Sequence, residues 1–192
     1  MNYLIRSIHD YSWEEINKFK NNINETKKNM IKIMNQKRMV QSVIGEILLS
    51  QLLKESGINY NDIIVKYNNN GKPYISNYSI YYSISHDDDM IICAINNYPI
   101  GVDIIKKERM KNDISNFFCN YDELNYVKSV NDLCKIFSLK EAYIKLLGLS
   151  IHDINNISIV ENNKISLDKS ILYKNIDYNG YYISICYKNS ER

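Results

Sequence analysis

Glycine is scarce in this chain of 192 residues: there are six, and none forms the spaced cluster that cradles nucleotide phosphates. That lack argues against a nucleotide hydrolase built on a glycine-rich loop. No run approaches the ~20 apolar residues needed to cross a bilayer, and the first ten residues hold no apolar core of signal-peptide length. Charge of neither sign dominates, with 24 Lys and Arg against 22 Asp and Glu. No basic run is studded with aromatics, so the electrostatic footprint of a nucleic-acid binder is missing. Cysteine is confined to Cys93, Cys119, Cys134 and Cys186, without Cys-x-x-Cys spacing. Buried free thiols are expected rather than disulfides or a zinc site. These absences describe a soluble, cytoplasmic, monomeric protein with no membrane or nucleic-acid partner.

What is present suits a packed core, with 45% hydrophobic and 24% charged residues. Ser12-Trp13-Glu14-Glu15 reads as a capping box opening a short helix with Ile16, Phe19 and Ile23 on its apolar side. One longer helix is expected over residues 25–55, with Met30, Ile33, Met34, Val40, Ile44, Ile47, Leu48 and Leu52 as candidate core. Its first half carries Lys27, Lys28, Lys32, Lys37 and Arg38, either a solvated face or an anion-binding edge. Strands are predicted at 63–67, 79–85, 90–95 and 100–105, with Asn70-Gly71 a turn and 86–89 a polar connection whose aspartates face water. The short loops between the last three strands suggest an antiparallel meander. Helical signals return at 113–118, 122–128 and 132–147, and strand signals at 156–161, 164–167, 171–176 and 180–187. Each half is helix followed by antiparallel strands. The expected fold is therefore α+β: two similar lobes, residues 1–98 and 99–192, related by a pseudo-twofold, each a helix on a small antiparallel sheet, with the active site in the cleft between them.

Two stretches carry chemistry. Residues 137–148 read as a helix stopped by Gly148, with Glu141 and Lys145 one turn apart on its polar side. Alone, that pair reads as an ordinary solvated one worth ~0.2–0.5 kcal/mol. Asp103 interrupts the apolar run Gly101-Val102-Asp103-Ile104-Ile105, either pointing to water from an edge strand or buried and paired. Taken together, two carboxylates on separate rigid elements with lysines nearby are what a Mg²⁺–phosphate site requires.

The ordered set is more specific. Gly101-x-Asp103, followed after about forty residues by Phe137-x-x-Lys140-Glu141-Ala142-x-x-Lys145-x-x-Gly148, resembles the signature of the phosphopantetheinyl transferase superfamily. Asn70-Gly71-Lys72-Pro73, Ser83-Ile84-Ser85-His86, and Phe117-Phe118 with Asp122-Glu123 resemble flanking segments of its larger, single-chain type, named after the surfactin synthetase activator. The resemblance spans roughly residues 36–150. It implies two related α+β lobes and a Mg²⁺-dependent enzyme moving 4′-phosphopantetheine from coenzyme A to a serine of an apo acyl or peptidyl carrier protein, with release of adenosine 3′,5′-bisphosphate. Carried over residue by residue, Asp103 and Glu141 look like the Mg²⁺ ligands, and Glu141 is also the nearest base. Lys145 looks like the cation at the reacting phosphate. Lys72, Ser85 and His86, with Asp103 and Lys145, look like the coenzyme A contacts. Many relatives carry a second acid two residues after the aspartate; here Ile105 stands there. A catalytically degenerate module that binds coenzyme A or a carrier protein is the alternative, and Ile105 is its support.

Overall fold

The computed structural model describes residues 1–189. It opens on a strand, β1 (Asn2–Ser7), which the sequence pattern does not announce because polar residues occupy both its ends. Helix α1 (Trp13–Lys20) starts at its expected capping box: Ser12 Oγ accepts from the Glu15 N–H at 3.2 Å, and the Glu15 carboxylate accepts from the Ser12 N–H at 2.8 Å. The single long helix expected over 25–55 is two, α2 (Glu25–Lys32) and α3 (Gln36–Glu55). Asn35 caps α3 by accepting the Arg38 N–H at 2.9 Å, so the chain restarts rather than continues. Ile33, at the break, is 89% exposed and is not core. Met30 is exposed as well. Val43, Ile44, Leu48, Leu49, Leu52 and Leu53 of α3 supply the buried centre of the first half.

After a short hairpin of β2 (Val65–Tyr67) and β3 (Pro73–Ile75) come β4 (Tyr81–Asp87), β5 (Met90–Asn96) and β6 (Ile100–Lys106). The region 86–89 is not all connection. Strand β4 runs on through His86 and Asp87, and Asp88-Asp89 alone make the turn, Asp88 at φ 49°. Asp87 is buried and Asp88 is bonded by Lys37 and Lys106, so the solvated-tip reading does not hold for them. The chain goes on through α4 (Tyr121–Tyr126), α5 (Val130–Leu147), the small hairpin β7 (Val160–Glu161) and β8 (Lys164–Ile165), then β9 (Ile171–Tyr178) and β10 (Tyr181–Lys188).

The expected meander is broken after β5. One sheet has the order β1-β5-β4, and β6 leaves it to form a second sheet, β6-β10-β9, antiparallel throughout. Strands 4 and 6 lie side by side without a backbone ladder between them. Side chains join them instead: the Val102 N–H donates to Ser83 Oγ at 3.1 Å, and the Lys106 N–H to Asp87 Oδ2 at 2.7 Å. Helix α3 covers the first sheet and α5 the second, giving an α+β fold. Gly101 is where α5 touches β6 most closely. A Cβ there would collide with the Ala142 carbonyl and the Leu146 N–H, so only glycine lets the helix sit this low.

Candidate active site

That close approach sets the site. The Lys145 ammonium donates to Asp103 Oδ1 at 2.6 Å and to Ser85 Oγ at 2.9 Å, while the Ser85 hydroxyl donates to the same Oδ1 at 2.7 Å. Glu141 Oε2 stands 4.0 Å from the same ammonium. One lysine thus serves two carboxylates. Asp103 is only 5% exposed, so its edge-strand reading, pointing to water, is set aside. Burial, reinforced by the charge of Asp103 and opposed by Lys145, pushes the Glu141 carboxyl up to about 7.

Two hollows meet at this cluster. Asp103, Ile105, Phe137, Glu141, Arg38 and Arg109 line one of about 610 Å³, and Lys145 belongs to its wall. Lys145 also lines the second, of about 330 Å³, with Lys27, Ser42, Lys72, Tyr82 and His86. His86, exposed at the rim, faces both. Its imidazole is held below its ordinary range by lost hydration and then by the charges of Lys145, Arg38 and Lys27. Lys72 donates to the carbonyls of Ile100 and Leu146, each at 3.3 Å, and burial lowers its ammonium to about 8. Asn68 and Asn70 donate to the Gly148 carbonyl at 3.1 and 2.9 Å. The β2–β3 turn therefore closes the C-terminal end of α5, where a cation is favoured by the helix dipole. Gly148, at φ 70°, ends the helix as its position in the sequence suggests.

The structure brings together all the candidates named from sequence: Asp103, Glu141, Lys145 and Ser85 by direct contact, Lys72 and His86 by the shared hollow. It also sorts the basic run. Lys28 pairs with Glu25 at 2.8 Å, Lys32 donates to Asn29 at 3.1 Å, and Lys37 bridges Asp88 and Asp89 at 2.5 and 3.0 Å. Lys27 and Arg38 face the hollows. Sequence reasoning missed Asp87 and Ser83, which bond the strand carrying Asp103, and Glu46, which holds Lys27 at 3.4 Å and the Tyr60 hydroxyl at 2.9 Å. Polar residues at every second position, Ser83, Ser85 and Asp87, were the available signal for the first two, blurred by the polar His86 between the last two.

Lys140, a motif residue, belongs to the frame. It and Glu123 are fully buried with N and O 2.8 Å apart; Lys140 also donates to the Phe118 carbonyl at 2.6 Å. Glu123 accepts from the Asn120 and Ile159 N–H groups, and the Phe118 ring meets Phe137 edge-on at 4.9 Å. Phe118 and Glu123 thus anchor α4 to α5, while Phe117, the other aromatic of the pair, is exposed.

The donor chemistry fits a hard divalent cation. Asp103 and Glu141 offer carboxylate oxygens to one hollow, and the charge of Asp103 helps raise the proton affinity of Glu141. A cation between them relieves that repulsion. Ile105 adds only hydrocarbon to the wall. Among the described residues, no three His, Cys, Asp or Glu side chains cluster to hold a metal by themselves. Two carboxylates leave positions for water and substrate phosphate, the arrangement a phosphate-carrying metal uses.

Residues 99–186 match the family profile described as the 4′-phosphopantetheinyl transferase superfamily. The chain is 27% identical over 157 residues to the 4′-phosphopantetheinyl transferase gsp of Aneurinibacillus migulanus, covering 78% of this chain and 65% of that protein. It is 28% identical over 119 residues to the transferase psf-1 of Bacillus pumilus, covering 58% and 51%. It is 22% identical over 139 residues to the transferase Sfp of Bacillus subtilis strain 168, covering 67% and 62%. The chain spans between about half and two thirds of the length of these curated relatives.

Proposed function

We propose that the protein, whose residues 99–186 match the 4′-phosphopantetheinyl transferase superfamily profile, is a transferase moving 4′-phosphopantetheine from coenzyme A to a serine of an apo acyl or peptidyl carrier protein. The observation that carries this reading is the Asp103–Lys145–Ser85 contact with Glu141 beside it, at the meeting of a cation-lined hollow and a carboxylate-lined one.

In this reading residues 1–98 form a lobe that supplies phosphate contacts and 99–192 a lobe that supplies metal and catalytic groups, with the hollows as the cleft between related halves. Lys72, Lys27 and Arg38 balance the phosphates of coenzyme A, and His86 hydrogen-bonds them. Ser85 acts both on the donor and on Asp103. The carrier serine oxygen bonds to the β-phosphorus of the pyrophosphate, and the bond from that phosphorus to the bridging oxygen breaks, leaving adenosine 3′,5′-bisphosphate. Glu141 is the nearest base to take the serine proton, directly or through water, although a bound metal would lower its basicity. Lys145 stabilises charge on the reacting phosphate. Mg²⁺ held by Asp103 and Glu141 would spread the negative charge of the pyrophosphate when bound. Positioning supplies much of the remainder, because phosphoryl transfer needs little covalent help from protein. The protein works in the cytoplasm as a monomer.

The test is incubation with coenzyme A, Mg²⁺ and a panel of apo carrier proteins, read by intact mass. A carrier gaining one phosphopantetheine is expected, and Asp103→Ala should abolish the gain while melting cooperatively. A wild-type protein that binds coenzyme A yet loads no carrier would favour a binding module.

A further inference from the structure

The strand that carries Asp103 is bonded on its two sides in different ways. On one side β6 pairs with β10 through a regular antiparallel ladder. On the other it faces the edge of β4, and only side chains cross. Those side chains are alternate residues of β4. Ile84, between them, points the other way and packs against Gly45 of α3. Ser83, Ser85 and Asp87 are 6%, 7% and 8% exposed, so each is committed to the seam. Ser83 Oγ takes the Val102 N–H, Asp87 Oδ2 takes the Lys106 N–H, and between them Ser85 Oγ bonds the Asp103 carboxylate. Backbone-paired strands stand ~4.8 Å apart. At this seam Lys145 reaches both Asp103 and Ser85.

We infer that Ser83 and Asp87 are positioning residues: they clamp β6 at residues 102 and 106, either side of Asp103, at side-chain distance from β4, so that its carboxylate opens into the hollow for cation and phosphate. The inference rests on the transferase reading for what occupies that hollow. Loss of Ser83 leaves a buried N–H, and loss of Asp87 a half-buried one, without its partner and lets β6 shift. The cost falls on the geometry of Asp103 as a ligand. Asp87 also pairs with Arg109, which supplies a competing explanation for any effect of its charge.

The test uses the full chain with coenzyme A and Mn²⁺, free Mn²⁺ being read by electron paramagnetic resonance, alongside carrier loading. Ser83→Ala and Asp87→Ala should weaken Mn²⁺ binding in the presence of coenzyme A by ~10–100-fold, as loss of a ligand's support does. Asp87→Asn, which keeps the acceptor and drops the charge, and Ser83→Thr should restore most of it. If Asp87→Asn fails as badly as Asp87→Ala, the Arg109 pair is the cause and the clamp is overturned. Should an alanine variant not fold, Ser83→Cys keeps the volume and weakens the acceptor; Mn²⁺ affinity equal to wild type there also overturns the inference. Wild-type protein that loads carrier, with alanine variants of unchanged Mn²⁺ affinity, sinks the clamp and leaves the transferase reading intact. Wild-type protein that loads nothing, with alanine variants that still lose Mn²⁺, does the reverse.

Discussion

Lys145 is the residue on which a surface pair and a working cation give the most different results. A solvated Glu141–Lys145 pair would make Lys145→Ala cost a few tenths of a kcal/mol and little else. The ammonium instead lies 2.6 Å from Asp103 and lines both hollows. Its removal should lower carrier loading by at least ~10²-fold with coenzyme A binding largely kept, checked by single-turnover rates beside calorimetry. Lys72 gives a pH signature. Its folded ammonium titrates near 8, below the ordinary lysine range, so the unfolded chain holds that proton to higher pH. Its contribution to stability is therefore least below about 8 and rises as pH climbs toward the ordinary lysine value. Lys72→Met should flatten that rise in melts taken across pH 7 to ~10.5. Bound phosphate favours the charged form, so coenzyme A binding near pH 9 should take up a proton in wild type and not in the variant. The candidates themselves came from the likeness of the ordered motifs to a family signature. Their partners did not: nothing in the sequence joins Lys72 to the carbonyls of Ile100 and Leu146.

At the scale of elements, α5 was the easiest to read. Its apolar stripe and terminal glycine are both local signals, though the helix starts at Val130, capped by Ser129, two residues before the expected 132. The break between α2 and α3 was not read, because Asn35 interrupts a pattern that is otherwise continuous, and an asparagine cap looks like any polar residue inside a helix. The meander failed for a different reason. Short loops fix which strands follow one another, but β6 is claimed by β10, 75 to 87 residues further along. The joint between α4 and α5 carries a stability prediction. Lys140→Met leaves the Glu123 charge buried without its counter-ion and should cost ~3–5 kcal/mol in denaturant melts. Replacing both with well-packed apolar residues should recover much of that loss.

For the molecule as a whole, the sequence motif marked the site's composition while its assembly depends on how two sheets meet. In the proposed site two carboxylates would fill only part of a cation's coordination, so Mg²⁺ alone should scarcely raise the melting temperature. With coenzyme A present it should raise it clearly, by the linkage of metal and donor binding. Strong stabilisation by Mg²⁺ alone would contradict a two-carboxylate site. The way β6 is held has one more consequence, for synthesis on the ribosome. The first sheet has all its strands once residue 96 has emerged. The strand bearing Asp103 then waits, with only the edge of β4 to lean on, until residues 181–188 arrive. The Asp103–Lys145–Ser85 cluster is thus fully framed only after β10 has been made, well after the first sheet has all its strands.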